Sequence, residues 1–429
     1  MSEEDHQIYT ILRGIIERKE RFKREAGAKA ASYIDRAIPF FDKAIPPLQD
    51  ALFEYIVAEK EHEGRIHIGT PAKDGNIPVL TVSGKGLAEA WENSMLALYK
   101  HGCTIRTQYD KKDNEGNFID PPSRDSTLTF IVEDPSSEPF IHRAFPGGLE
   151  DLEEYRQEVV EGIKNHWVRD PTDTEDDRWE YTYNERLFEY AVPLNKIDVF
   201  LREMPQDHRK ALDAKRIQEK KKPLAFLLEQ GYTRVEKRPV KKWHKEEDGT
   251  WSVREAGTQE HLVIDQIEYV IDKLSKQPYS RQAQAITWKP QEDTICFDPA
   301  CLQSLWFRIL PDEEGIGRLN MNVRFRSRDA YDAAFMNAFA FIHLQERVAA
   351  GISEKAGIPI KLGRYLDISD SYHIYGRRLG HFRESFVSLV CTREFEDRTW
   401  DREFAQPIFD EAKPKIAKKI AEQDAKRAK

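Results

Sequence analysis

Four short stretches of this chain bring together residue types that can do chemistry. "FDPACLQSLWF" sets Cys301 ahead of an apolar, strand-like run. A thiolate is a strong nucleophile once nearby cations lower its pKa, and Arg324, Arg326, Arg328, Arg377 and Arg378 all lie downstream. Taken alone, the same residue also reads as a small buried hydrophobe or as a metal ligand. "RFRSRDAYDAAFMNAF" offers Arg326, whose planar fork suits a phosphate, beside the hydroxyl of Ser327. A surface ion pair is the plainer reading of that arginine. Asn337 follows inside an apolar helical pattern, where its amide must satisfy both a donor and an acceptor, through core partners or through an amide-like ligand edge. In "SDSYHIYG", His373 and Tyr375 alternate along a strand and so share a face suited to a sugar hydroxyl, although a single histidine is more often structural. In "YSRQAQAITWKP", Arg281 precedes a strand and lies upstream of Cys301.

Hydrophobic periodicity supplies the elements that must carry these residues. "IYTILRGIIERKERFKREAG" and "LQDALFEYIVAEKEHEG" predict helices within 5–62, an added helical module whose simplest role is scaffold or oligomer contact. A mixed α/β body starts near Arg65. "IPVLTVSG" reads as a strand, Leu87–Gly102 as a helix with Gly102 at its stop, Ser126–Asp134 as a strand and Leu149–Ile163 as a helix. Residues 204–258 break the rhythm and read as an insertion: a charged helix or helix pair, then a polar stretch with Asp-Gly at a hairpin position. Its Lys220–Lys222 run and the Arg238, Lys241 and Lys242 group could meet phosphate, but a solvated face explains them more simply. From Leu262 the expected order is a helix ("LVIDQIEYVIDKLS"), strands at "AQAITWKP", "QSLWFRIL" and Leu319–Ser327, a long apolar helix, and a strand at "YLDISDSYHIYG". The expected division is 1–64 as a helical extension, 65–400 as the catalytic body and 401–429 as a charged helix or frayed tail.

Composition narrows the function classes. A 429-residue chain with 33% charged and 11% aromatic residues is long enough for one large core or two smaller ones, and too aromatic to be disordered. A net charge of −9 argues against broad nucleic-acid coating. No apolar run reaches the ~20 residues of a membrane span, and "MSEEDHQIYT" lacks the order of a signal peptide, so a cytoplasmic location is expected. The four cysteines, Cys103, Cys296, Cys301 and Cys391, show neither a disulfide framework nor a zinc-finger pair, and no metal is expected.

Taken in order, the four stretches resemble one family, thymidylate synthase and the related deoxynucleotide hydroxymethylases. The family sets an arginine before a "W-N-P" strand end, as Arg281 stands before "TWKP". A Pro-Cys nucleophile segment, an "R-S-x-D" followed by asparagine, and an "H-x-Y" strand come next, here "DPACLQSLWF", "RSRDAYDAAFMN" and "HIY". The resemblance covers 262–382 well and runs back more weakly, in the compact style of archaeal members, through "YTYNERL", "SRDSTLTFIVEDP" and "LAEAWE". It implies an α/β fold with a large twisted mixed sheet, helices over one face, and a homodimer sharing its active sites. The implied substrates are dUMP and 5,10-methylenetetrahydrofolate. Cys301 would add to C6 of the pyrimidine. Asn337 would pair with the N3 and O4 edge and favour uracil over cytosine. Arg326, Ser327, the neighbouring subunit's equivalent of Arg281, and Arg124 would hold the 5′-phosphate, with His373 and Tyr375 on the 3′-hydroxyl. Tyr183 would organise proton removal from C5, Glu158 would manage protons near the folate, and Asp329 and Trp306 would line its site.

Three positions depart from the family pattern: Leu302 replaces a histidine, Trp306 a glutamine, and Ser371 an aspartate. The ending "EQDAKRAK" also lacks the family's apolar closing segment. These departures favour adding water to the C5 methylene over reducing it, which implies a dUMP hydroxymethylase of the kind used by viruses that make modified DNA. Thymidylate synthase is the alternative, and a non-catalytic nucleotide-binding or interaction member of the fold is a further one.

Overall fold

The computed structural model describes residues 47–170, 176–194 and 227–427, with positions 14, 173, 207 and 210 besides. The helix expected from residue 5, most of the charged helix expected after 204, and the Lys220–Lys222 run lie outside the described residues. In chain order the first half contains helix α1 (47–62), strands β1 (Ile66–Thr70) and β2 (Val79–Gly84), and helix α2 (Leu87–His101). Strands β3 (Cys103–Ile105), β4 (Ser123–Val132) and β5 (Ile141–His142), helices α3 (Leu149–Glu161) and α4 (Tyr183–Phe188), and strand β6 (Tyr190–Pro193) follow. The second half contains β7 (Thr233–Lys245), β8 (Trp251–Ile264), helix α5 (Gln266–Lys276), β9 (Gln284–Ile286), β10 (Leu302–Pro311), β11 (Gly317–Phe325) and β12 (Arg328–Asp329). Helix α6 (Ala334–Ala356), β13 (Ile360–Ile374), β14 (Thr399–Trp400) and helix α7 (Arg402–Arg427) complete it.

These elements form two compact units, one of residues to 154, 324–342 and 363–421, the other of 155–323, 343–362 and from 422 on. In the first unit the strand order is β1-β2-β4-β13, with β3 added to β4 and β12 to β13. β2 and β4 run parallel, which requires a crossover, and α2 supplies it. β1–β2, β3–β4 and β4–β13 are antiparallel, so the sheet is mixed, as expected. Leu128, Phe130 and Val132 of β4 are buried while Thr127, Thr129 and Ile131 are half-buried, the alternation that its sequence predicts. Trp91 of α2 packs edge-on against Phe335 and Phe386 and donates its indole N–H to the Ala330 carbonyl at 3.1 Å. Gly102 ends α2 with φ −61°, an ordinary value, so conformational freedom is not why glycine stands there. A Cβ would lie 2.4 Å from the Leu98 carbonyl oxygen.

A buried ion pair anchors the segment that carries several expected site residues. Arg328 and Asp367 pair through Nη1 and Oδ2, with side chains 2% and 0% exposed. The second arm of the guanidinium donates to the Ala334 carbonyl at 2.7 Å, and the Tyr365 hydroxyl donates to Asp367 at 3.0 Å. One cation therefore ties β12 to β13 and to the start of α6.

In the second unit β9, β10 and β11 are adjacent strands, and β6, β8 and β7 form a separate three-stranded sheet. α5 buries Ile267, Val270, Ile271 and Leu274, spaced by three and four, and Asp265 caps it by accepting from the Glu268 N–H at 2.8 Å.

One expectation changes, and two are met and sharpened. The helix read over "LVIDQIEYVIDKLS" begins only at Gln266, because Leu262 and Val263 finish β8 and pair with Val192 and Ala191 of β6. The polar stretch of the insertion forms the long β7–β8 hairpin, whose Arg238 pairs with Glu236 at 3.1 Å and Lys241 with Asp173 at 2.6 Å. The charged tail is the helix α7, which buries Ala405, Phe409, Ala412 and Ile416, with Phe409 5.8 Å from the Phe339 ring. Those four residues sit at helical spacing inside a sequence whose charge obscures them.

R328M should leave the Asp367 carboxylate buried without its cation and lower the unfolding free energy by about 3–5 kcal/mol in urea titration. The R328M/D367L double variant should recover most of that loss, since a well-packed apolar pair replaces a buried ion pair at little cost.

Candidate active site

In the second unit, half-buried Cys301 occupies the bend immediately before β10. Tyr183, the first residue of α4, is brought to it: the Leu302 backbone N–H bonds to the Tyr183 phenol, and Cys301 acts on that phenol electrostatically. Burial, then the neighbouring Tyr181, Tyr155 and Cys301, push the phenol well above its ordinary range, so Tyr183, neutral at pH 7 like any phenol, also resists ionisation in alkali.

Two buried networks hold α4 in this place. Arg186, one turn along the helix, forks onto both Asp293 carboxylate oxygens at 3.1 and 3.3 Å and donates to the Thr287 carbonyl at 3.1 Å. The Thr287 hydroxyl in turn bonds to the Leu302 carbonyl, and the Lys289 N–H donates to Asp293 at 2.6 Å. On the other side, Thr182 caps α4 and donates to Asn165 at 2.6 Å. Asn165 donates to Asn184 at 2.8 Å, and Asn184 donates to the Val159 carbonyl at 2.9 Å. Gly162, at φ +73°, makes room for this chain, because a Cβ there would meet the Asn184 side-chain oxygen at 2.4 Å. Val159 is the neighbour of Glu158, so the network sets Glu158 relative to Tyr183.

Glu158, Tyr183, Trp179, Glu180, Tyr181, Thr182 and Asp298 line an open cleft of about 350 Å³. Its chemistry is acidic and aromatic, and the Lys164 ammonium balances part of the charge by pairing with Glu158 at 2.9 Å. Trp306 on β10 donates its indole N–H to the Arg281 carbonyl at 3.1 Å, which pins the backbone at Arg281 to β10.

In the first unit, β4, β13 and β12 lie side by side, with His373 of β13 opposite Asp125 of β4 and Asp329 of β12. Arg124, Asp329, His373 and Tyr375 are thereby gathered, and the His373 and Tyr375 rings meet edge to face with centroids 4.6 Å apart. Arg326 and Ser327 stand between β11 and β12, and buried Asn337 lies in the first turn of α6. Arg124 donates to the Gly102 carbonyl at 3.1 Å. Asp329 Oδ1 accepts the N–H groups of Tyr331 and Asp332 at 3.0 and 2.9 Å, and burial raises its pKa to about 6. Burial likewise lowers His373 to about 4, leaving it neutral at pH 7.

Several functional contacts escape a reading of the sequence. Asp125 and Ser371 bracket His373, Arg186 and Asp293 place α4, and Lys164 partners Glu158. Only Ser371 left a signal, as a departure from the family pattern. Among the described residues, no cluster of three His, Cys, Asp or Glu side chains is placed to hold a metal ion, and no helix is long and apolar enough to cross a membrane.

The raised Asp329 pKa has a pH-dependent consequence. At pH 7 the folded protein holds an ionised carboxylate that its surroundings disfavour relative to an ordinary value of 3.8. As pH falls through 3.8 the unfolded group is protonated as well, and the difference nearly vanishes by about pH 3.5. D329N, whose amide oxygen can still accept both N–H groups, should raise the unfolding free energy by about 1–2 kcal/mol at pH 7 and leave it unchanged near pH 3.5. Paired urea titrations at the two pH values measure this.

Several known proteins are similar to this chain. The thymidylate synthase family model matches residues 234–394. A Methanosarcina barkeri protein named "Putative thymidylate synthase" is 25% identical over 294 residues, 68% of this chain and 88% of that protein. A Methanocaldococcus jannaschii protein of the same name is 39% identical over 117 residues, 26% of this chain and 48% of that protein, so this chain spans about half the length of that relative. Among solved structures, thermostable thymidylate synthase A from Bacillus subtilis aligns over 70% of this chain and 83% of its own, at 15% identity and TM-score 0.37. Over the described residues this chain is mixed α/β, and its segment 234–394 is similar to the thymidylate synthase family.

Proposed function

We propose that this protein transfers a one-carbon unit to C5 of dUMP through a covalent adduct at Cys301, and that water completes the reaction to give 5-hydroxymethyl-dUMP. The observation that supports this reading best is Cys301 at the head of β10 beside the neutral Tyr183 phenol, itself on the wall of a polar cleft. Cys301 Sγ adds to C6 of the pyrimidine, and C5 becomes nucleophilic. 5,10-Methylenetetrahydrofolate supplies the electrophilic carbon as co-substrate. Asn337 presents a donor and an acceptor to the N3 and O4 edge of uracil. Arg326, Ser327 and Arg124 hold the 5′-phosphate, with Arg281 reaching the phosphate of a partner subunit in a homodimer, and His373 and Tyr375 hold the 3′-hydroxyl. Asp329 and Trp306 suit the folate site: the buried carboxyl keeps acceptor capacity beyond its two backbone donors, and the indole offers a broad face.

Tyr183 orders the water that takes the C5 proton, since a phenol that stays protonated can donate a hydrogen bond but cannot take up the proton itself. Glu158, paired with Lys164, passes protons in the cleft. When tetrahydrofolate leaves, an exocyclic methylene remains on C5. Water held by Glu158, Glu180, Thr182 and Asp298 adds to it, and the Cys301 thiolate departs from C6. Thymidylate synthesis is the second reading, favoured by the names of the relatives. There the methylene takes hydride from tetrahydrofolate, giving dTMP and dihydrofolate.

Incubation with dUMP and methylenetetrahydrofolate separates the two outcomes. Formation of 5-hydroxymethyl-dUMP without the dihydrofolate absorbance change is expected, whereas dTMP with dihydrofolate identifies a synthase. With folate present, 5-fluoro-dUMP should form a covalent adduct visible by mass spectrometry. C301S should abolish that adduct and lower turnover by roughly 10³-fold or more. A wild-type protein that forms no adduct would be a non-catalytic member of the family. N337D should lose roughly 10²-fold in kcat/KM for dUMP, because its carboxylate has no donor for O4.

A further inference from the structure

We propose that Asp125 and Ser371 form a positioning relay that holds the His373 ring as its Nδ1–H tautomer, so that Nε2 is kept as an acceptor for a ligand hydroxyl group. The relay begins with a β-bulge. Ser369 pairs with Leu128 and Tyr372 with Ser126, so β13 carries one extra residue there relative to β4. The Ser371 N–H leaves the β4 ladder and donates to the Arg326 carbonyl at 3.2 Å. The Ser371 hydroxyl turns toward Asp125, the residue directly opposite His373.

The proton inventory then allows one arrangement. The Ser371 Oγ lies 3.0 and 2.9 Å from the two Asp125 carboxylate oxygens, and a carboxylate can only accept. The single hydroxyl proton of Ser371 is therefore spent on Asp125. Ser371 Oγ is left as an acceptor toward His373 Nδ1, 3.2 Å away. The Ser371 carbonyl also draws a ring N–H of His373. With oxygen acceptors on that side, Nδ1 carries the hydrogen. Because burial keeps the imidazole neutral at pH 7, Nε2 keeps its lone pair.

The surroundings limit other arrangements. The Ser126 N–H holds the Asp125 carboxylate. Cys103, opposite Asp125 on β3, donates its thiol to the Asp125 carbonyl at 3.3 Å, leaving the carboxylate to Ser371. Arg124 is directed to Gly102 and Thr104. Tyr375 blocks one side of the imidazole, with the Arg377 guanidinium stacked 4.6 Å from the tyrosine ring. A neutral Nε2 can only accept, so it serves a hydrogen-bond donor and gives nothing to a phosphate or carbonyl oxygen. A sugar hydroxyl is a ligand group of that kind. Only its identity as the 3′-hydroxyl of dUMP rests on the functional reading above.

The experiment uses the full-length protein labelled with 15N-histidine, with the His373 resonances assigned by their loss in H373Q. Wild type should show Nδ1 as the protonated nitrogen and Nε2 as the lone-pair nitrogen. S371A should mix or reverse that pattern, and S371T, which keeps the hydroxyl, should restore it. In binding assays wild type should prefer dUMP over 2′,3′-dideoxyuridine monophosphate by about tenfold. S371A should lose that preference with kcat changed by less than about twofold, so that the loss falls in KM. An Nε2–H signature in wild type, or full discrimination retained by S371A, overturns the relay. If the protein binds no dUMP, the functional reading fails, while the ring-nitrogen pattern of wild type and S371A still decides the relay. S371A is the main probe because Ser371 is only half-buried, and D125N, which keeps an acceptor oxygen, should shift the pattern less than S371A.

Discussion

The Arg328 guanidinium, sealed against Asp367, is the contact on which the first unit's functional face depends. A buried cation must be paired, and its remaining donors must be used. Arg328 meets this by reaching β13 through Asp367 and the start of α6 through the Ala334 carbonyl. Arg326, Ser327 and Asp329 flank it in sequence, and Asn337 lies one turn beyond Ala334. Four residues expected to meet a nucleotide or a folate are thus placed by a fifth that meets neither. The arrangement is imperfect: Arg328 Nε and Asp367 Oδ1 lack hydrogen-bond partners. A buried pair of this kind contributes more to a unique geometry than to net stability.

The second unit applies the same logic to the nucleophile. Cys301 belongs to a strand and Tyr183 to a short helix, and nothing local relates them. Arg186 provides the relation, because it sits on the tyrosine's helix and its fork reaches Asp293, whose neighbours lead to Leu302. Burial outweighs the Leu302 backbone donor and raises the phenol well above its ordinary range. A phenol that stays protonated fits the proposed role of ordering water and not of removing protons itself.

Much of this was legible in the chain. Regular strands and helices followed their two periods, and the alternation of His373 with Tyr375 put His373 on β13 and Tyr375 just past its end. The misses have common physical causes. Leu262 and Val263 were read into a helix because a short apolar run fits either element, and only the pairing of β8 with β6 decides between them. For α7 the sequence allows a charged helix or a frayed tail, because four apolar residues among many lysines and glutamates carry little weight until Phe409 finds Phe339. Asp125 was passed over beside Arg124 because its importance comes from a bulge, and a bulge adds one residue without any marker in composition.

The sequence by itself determined which groups are available: one cysteine at a strand head, the Arg-Ser-Arg-Asp run, a helical asparagine, the His-Ile-Tyr strand, and the order in which they occur. Residue type and spacing suffice for that, since periodicity and chemical identity are local properties. Tertiary structure alone decided what several of these groups meet there: that Arg328 is sealed against Asp367, that the Leu302 N–H bonds to the Tyr183 phenol, and that Ser371 hands its one proton to Asp125. Protonation and hydrogen-bond direction depend on burial and on partners from distant segments, and no local spacing encodes either.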